Sequence, residues 1–295
     1  MRVGIDIGGT KIEAVSIDDE LNVLATFRQP VRTGPTGITA GTLEAIDAVS
    51  RDAGGRIESI GVGVPGTIRR GVIHHARNLA IESYDLEAAI TAETDAPVRV
   101  SNDVNAAALG AWALRGGAST SLAYLNLGTG MAAGLVLDGR AWEGGRGMAG
   151  EIGYISADPN GPTHVEGLAG TLEGYASGSG VVGQWGVEGA SAVDVFDAAD
   201  AGDARAIAIR DGVYFGAASA VRVLALTFGA DTIVIGGGLA GLGRSLCEGM
   251  AEHFDAWSRT SPLIASLQLD AITHLLDDER PTHAIGAAIM GGHHG

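Results

Sequence analysis

Lysine is nearly missing from this chain: Lys11 stands alone beside eighteen arginines in 295 residues. Cysteine is as scarce, and Cys247 by itself excludes an intrachain disulfide. No apolar run reaches the roughly 18 residues of a membrane helix. The longest candidate, around residues 223–243, is broken by Asp231 and several glycines. No charged-then-apolar leader opens the chain, whose first strand-like run starts at Arg2, so a cytoplasmic protein is expected. Basic residues are outnumbered, 19 against 35 acidic, for a net charge of −16. A surface of that sign repels phosphate backbones and anionic lipid, which argues against nucleic-acid and membrane partners. Carboxylates stay hydrated in strong salt while a lysine stem exposes apolar carbon, so the balance fits a high-salt cytosol. Codon bias in a GC-rich genome is the competing reading. It accounts for the lost lysine but not for the acid excess.

Glycine is in excess, 47 residues with no collagen period, and reads as turns and close backbone approaches. Hydrophobic content of 46% and a mean hydropathy of +0.21 suit a globular chain long enough for two cored domains. Residues 2–8, 11–18 and 22–30 read as strands joined by hairpin-length linkers. A helix is expected over 36–54, strands over 59–66 and 97–105, and a helix over 105–115. The pattern restarts at TSLAYLNLGTG (120–130), followed by a hairpin around Asp138-Gly139. Two versions of one βββ-α-β-α unit, and so two lobes, are expected. Residues 146–172 read as a long functional loop. Helices are expected over 172–186, over 203–229 with an interruption near Gly212, and over 282–292, with a strand and a triple-glycine turn over 232–241. The terminal GGHHG reads as a tail.

Three glycine turns each follow an apolar strand: DIGGTK (6–11), NLGTGMAAG (126–134) and VIGGGLAG (234–241). Such turns let backbone N–H groups approach phosphate oxygens. None fits the GxxxxGK[ST] loop or a GxGxxG fingerprint in its strand–helix setting. Together with GVPG (63–66), NDVNAAALG (102–110), LGTGMAAGLVLDGR (127–140) and GMAGEIG (147–153), the three turns run through nearly the whole chain in one order. In this the chain resembles the ROK family of sugar kinases, and with the acid excess it looks like a member from a halophilic archaeon.

The resemblance implies an α/β, two-lobed, actin-like ATPase (ribonuclease H-like) fold with a central cleft. It implies a small lobe of residues 1–104 plus 280–295, a large lobe of 105–279, and a homodimer. It also implies an ATP-dependent hexose kinase, with glucose and its 6-hydroxyl the expected acceptor. Gly8, Gly9, Thr10 and Lys11 would wrap the terminal phosphates of ATP, with Gly128, Thr129, Gly130, Gly236, Gly237 and Gly238 as further nucleotide contacts. Lys11 would add charge near the phosphates or support the turn; an exposed lysine spared by drift is the alternative. Asp6 would hold Mg²⁺ through water, since that ion keeps several waters.

Asp103 is the expected base, because phosphoryl transfer to a hydroxyl needs an acceptor for its proton. A helix-capping Asn-Asp turn is the plainer reading of the same residues. Asn102, Gly66, Asn78, Glu151, Tyr154 and Glu173 would contact the sugar, the carboxylates by accepting hydroxyl hydrogens. Tyr154 stands where many relatives carry a histidine, and loop packing is its plainer role. The family's cysteine-rich zinc segment reads HVEGLAGTLE here (164–173), so no structural zinc is expected. A looser metal site from His164, Glu166 and Asp158 is the alternative. Kinases for mannose, fructose or an N-acetylhexosamine, and a non-catalytic sugar-binding protein, remain as rival functions.

Overall fold

The computed structural model describes residues 1–163, 167–276 and 280–292. In chain order its first elements are β1 (Arg2–Ile7), β2 (Lys11–Ile17), β3 (Val23–Pro30), α1 (Pro35–Ala53), β4 (Ser59–Val64), β5 (Thr67–Arg69), β6 (Val72–Ala76), β7 (Ile81–Asp85), α2 (Leu86–Thr91), β8 (Val98–Asn102) and α3 (Asp103–Leu114). There follow β9 (Ser121–Leu127), β10 (Met131–Leu137), β11 (Arg140–Ala141), α4 (Leu172–Ala176), α5 (Gly178–Trp185), α6 (Ala192–Asp200), α7 (Ala204–Thr227), β12 (Thr232–Gly236), α8 (Arg244–Thr260), α9 (Pro262–Leu267), α10 (Leu269–Ile272), β13 (Thr273–Leu275) and α11 (Thr282–Gly292).

The two main sheets have the same strand order. One runs β3-β2-β1-β4-β8 and the other β11-β10-β9-β12-β13, each with the fourth strand of its set parallel to the first. Asp138 and Gly139 at the β10–β11 turn both take positive φ, 49° and 75°, as a type I′ hairpin requires.

The chain divides into two compact units, residues 1–120 with 134–149 and 277–295, and residues 121–133 with 150–276. This differs from the expected boundary at 104/105, and the reason lies in α11. That helix lies on β1, β4 and α3 at backbone contact distance, so α3 belongs with the first unit. A Cβ added at Gly4 would lie 1.9 Å from Ala284 O, and one at Gly286 would lie 1.8 Å from Ala106 O. No side chain fits at either approach. The expected boundary at 279/280 borders residues outside those described.

Within the first unit, Ile5, Ile7, Ile12, Ile38, Ile60 and Val62 form a fully buried core against α1. A small antiparallel sheet, β5-β6-β7, was not expected from the sequence. Its strands span only three to five residues and mix polar with apolar side chains. His74 and His75 lie in its central strand.

Two helix expectations need correction. The single helix over 172–186 is two, because Thr171 caps α4 through Gly174 N–H and Ser177 caps α5 through Gly180 N–H. The interruption near Gly212 does not occur, and α7 runs unbroken for 24 residues. Gly212 and Gly216 make room there for Tyr175, whose ring lies 3.2 Å from where a Cβ would sit on Gly212.

Candidate active site

In the first unit the strand register assembles the site. Asp6 pairs with Gly63 across β1 and β4, and Gly63 pairs with Ser101 across β4 and β8. The polar residues ending these strands therefore share one edge of the sheet. The expected strand over 97–105 stops at Asn102, and Asp103 is the first residue of α3. Gly63 lets the helix start come close: a Cβ there would lie 3.3 Å from Asp103 Cα.

Asn102 is the N-cap, its Oδ1 accepting from Val104 N–H at 2.9 Å and Asn105 N–H at 3.4 Å. Its Nδ2 donates to Gly66 O at 3.1 Å. That leaves one Asn102 N–H and the Gly66 N–H for any ligand. Gly66 has φ 109°, and a Cβ there would meet His74 O at 2.8 Å, so only glycine fits. Asn78 is exposed in a short 3-10 turn (Arg77–Leu79), and its Cβ is 3.8 Å from the place of a Cβ on Gly9. The sugar-side and phosphate-side candidates of this unit are thus neighbours.

Asp103 is half-buried, with Oδ1 accepting from Val104 N–H at 3.0 Å. Burial and then the charge of Asp6 push its carboxyl up to about 6, against the opposing pull of His283. His283 was not anticipated from the sequence. It enters from α11, with Nδ1 3.8 Å from Asp6 Oδ1. Burial alone would lower its proton affinity, but Asp6, Asp103 and Glu13 raise it above the ordinary value. The available signal was a lone imidazole in an otherwise small and apolar helix, THAIGAAIMGG.

The first glycine turn is closed by Gly8 N–H donating to Lys11 O at 2.8 Å, with Gly9 and Thr10 exposed at its tip. The Lys11 ammonium reaches Glu13 Oε2 at 3.3 Å, and Arg28 Nε donates to Glu13 Oε1 at 2.7 Å. Glu13 faces Arg28 directly across the β2–β3 ladder and is buried, so the two cations hold its charge. Lys11 is tied to the base of its own turn.

The second unit holds the other candidates. The turn Gly128–Gly130 is pinned from behind, Gly178 N–H donating to Gly128 O at 2.8 Å and Ser179 N–H to Thr129 O at 3.0 Å. Glu173, in the first turn of α4, accepts from Met131 N–H through Oε2 at 2.8 Å. Glu151 precedes a 3-10 turn (Ile152–Tyr154), and burial followed by the Glu173 charge raises its carboxyl. The two carboxylates therefore feel each other. Tyr154 is half exposed rather than packed in the loop core. Gly236 ends β12, Gly237 has φ 85°, and Gly238 opens a short 3-10 segment with nothing within 4 Å of its Cβ position.

Asp6 and Asp103 offer carboxylate oxygen, the donor Mg²⁺ prefers while keeping most of its waters. Among the described residues no group of three or more His, Cys, Asp or Glu could hold a metal ion. An ion here would be carried largely by water and phosphate, which fits Mg²⁺. His164 and Glu166 lie outside the described residues. The described part of their loop is tied by bridges between Ser156 and Thr171 and between Thr163 and Ala169, and Tyr175 Oη donates to Asp158 at 3.3 Å.

A duplicated five-strand sheet, glycine turns after its strands and an aspartate opening a helix beside them define a two-lobed, actin-like phosphotransferase. The ROK family model matches residues 2–290, and the chain belongs to that family. A glucokinase of Halalkalibacterium halodurans is 33% identical over 284 residues, 87% of this chain and 86% of the relative. An N-acetylmannosamine kinase of Haemophilus influenzae is 30% identical over 261 residues, 85% and 86% of the two chains. The crystal structure of a ROK family glucokinase from Streptomyces griseus, in complex with glucose and AMPPNP, superposes with a TM-score of 0.75 at 26% identity over 98% of both chains. The chain is an ATP-dependent sugar kinase.

Proposed function

We propose that this protein transfers the γ-phosphoryl group of ATP to the 6-hydroxyl of glucose, with Asp103 as the base. The observation that carries this reading is Asp103 itself. It opens α3 at the sheet edge, next to Asp6, with its carboxyl pushed up to about 6. That value keeps it ionised at neutral pH yet makes it a better proton acceptor than an ordinary aspartate. The acceptor hydroxyl attacks the γ-phosphorus in line and its proton passes to an Asp103 oxygen as charge develops.

In the same reading Glu151 and Glu173 accept hydrogens from other sugar hydroxyls. Gly66 N–H, the remaining Asn102 N–H, Asn78 and Tyr154 complete the sugar contacts. The turns Gly8–Gly9–Thr10, Gly128–Thr129–Gly130 and Gly236–Gly237–Gly238 present N–H groups to the nucleotide. Lys11 keeps the first turn closed and its charge near it. Asp6 would hold Mg²⁺ through water; bound there, the ion neutralises charge on the β- and γ-phosphates.

A second reading, an N-acetylmannosamine kinase, is favoured by the 30% identity to the Haemophilus influenzae enzyme. In both readings the protein is a cytoplasmic homodimer, as the family resemblance implies, from a halophilic archaeon, which the −16 charge and the single lysine support. No described helix is long and apolar enough to cross a membrane.

The test is a panel of glucose, mannose, fructose, N-acetylglucosamine and N-acetylmannosamine, with ATP and Mg²⁺ in molar KCl, using wild type and Asp103→Asn. Glucose is expected to give the highest kcat/KM, and Asp103→Asn to lose turnover by at least a hundredfold while still binding sugar. Turnover of N-acetylmannosamine alone would establish the second reading. Unchanged turnover in Asp103→Asn would remove the base.

A further inference from the structure

Asp6 does not stand alone at the end of β1. The helix that closes the first unit, α11, carries one imidazole among alanines, glycines and isoleucines. Its position is fixed by backbone fit, since Gly4 and Gly61 let α11 lie directly on β1 and β4, and Gly110 lets α3 meet Thr282. Residue 283 is the second of the helix, next to those contacts. The helix begins regularly, its first i→i−4 bond running from Ile285 N–H to Pro281 O at 2.9 Å. The backbone that carries the imidazole is thus fixed beside Asp6, which the ring approaches to 3.8 Å from Nδ1 to Oδ1. The Asp6 side chain is itself only 13% exposed. A largely buried carboxylate with one oxygen facing a ring on a fixed helix is a restrained carboxylate.

We infer that His283 is a positioning residue for Asp6: held by α11, it restrains the carboxylate from the Oδ1 side and leaves Oδ2 for the hydration shell of the nucleotide's Mg²⁺. The inference rests on the reading of Asp6 given above. Its chemistry is that of outer-shell support, in which a group touching a ligand, not the metal, sets the ligand's orientation. The separation exceeds a direct hydrogen bond, so the restraint is steric and electrostatic or passes through a water. Loss of such a partner typically weakens metal affinity about 10–100-fold.

Calorimetric titration with ADP, with and without Mg²⁺, tests this on the full chain as wild type, His283→Ala, His283→Asn and Asp6→Asn. Wild type should bind ADP more tightly with Mg²⁺. His283→Ala should lose about tenfold of that gain, with metal-free ADP affinity unchanged. His283→Asn, whose amide nitrogen falls near the place of Nδ1, should restore most of it. Should His283→Ala fail to fold, as a melting scan would reveal, His283→Gln replaces it, since its amide sits one carbon too far out.

A full magnesium gain in His283→Ala, or an equal loss with and without metal, overturns the inference. So does a defect that Asn fails to repair. If Asp6→Asn also keeps the full gain, or wild type shows none, the Asp6 reading falls as well. If Asp6→Asn loses the gain and His283→Ala keeps it, only the role of His283 falls.

Discussion

Replacing Asp103 by asparagine should make the protein more stable while it destroys activity. The folded carboxyl is raised from 3.8 to about 6. An acid with a raised folded pKa binds its proton more tightly in the native state, so acidification favours folding. The cost is absent below about pH 4, grows as pH rises through the interval, and is fully present above about pH 6. Two units at about 1.4 kcal/mol each give about 3 kcal/mol, an upper figure because Asp6 and His283 share the titration. Asparagine has the same shape and can still accept from Val104 N–H through its amide oxygen, so it removes the charge and little else. For a chain of this size 1 kcal/mol moves the melting midpoint by roughly 2–4 °C. Thermal scans at pH 7.5 should place Asp103→Asn up to roughly 6–12 °C above wild type, and scans near pH 4.5 should shrink the gap to about a third of that. A variant no more stable at pH 7.5, or a gap that ignores pH, would refute the claim that a strained charge sits at residue 103.

Other consequences can be checked in the same preparations. If Asp103 is the base it must be ionised to accept a proton, and log kcat/KM should fall with a slope approaching one as pH drops below about 6, measured with saturating Mg²⁺; a limb near pH 4 would contradict the raised value. Gly286→Ala forces a Cβ to 1.8 Å from Ala106 O at the α11–α3 contact. It should cost about 3 kcal/mol or more in a denaturant titration, whereas Gly238→Ala, in open space, should be nearly neutral. Adding EDTA should abolish turnover, restored by Mg²⁺, and leave the melting midpoint unmoved. A chelator-induced drop in midpoint would point to a structural metal.

Much of this molecule is legible in its sequence because period and punctuation agree. Val3, Ile5 and Ile7 alternate with polar or small residues up to the first glycine turn, and Asp138-Gly139 dictates a turn with both φ positive. The repeated order of strands appeared twice in the same pattern. The rest was hidden where function of a residue depends on distant neighbours. Gly212 looks like a helix breaker until Tyr175 is seen to occupy its face. β5, β6 and β7 are too short to carry a period. Asn102 and Asp103 allowed a catalytic and a capping reading; Asn102 caps α3, and Asp103 is close enough to Asp6 to feel its charge. His283 was invisible because 277 positions separate it from the aspartate it touches, and only the glycine-lined seat of α11 brings them together.

The central claim concerns one oxygen-to-oxygen distance. A crystal structure with glucose and a non-hydrolysable ATP analogue bound should show an Asp103 carboxylate oxygen within about 3 Å of the sugar 6-hydroxyl, on the side away from the γ-phosphorus bond that will form. An Asp103 carboxylate beyond reach of any sugar hydroxyl, even through one water, with another base in its place, would contradict it.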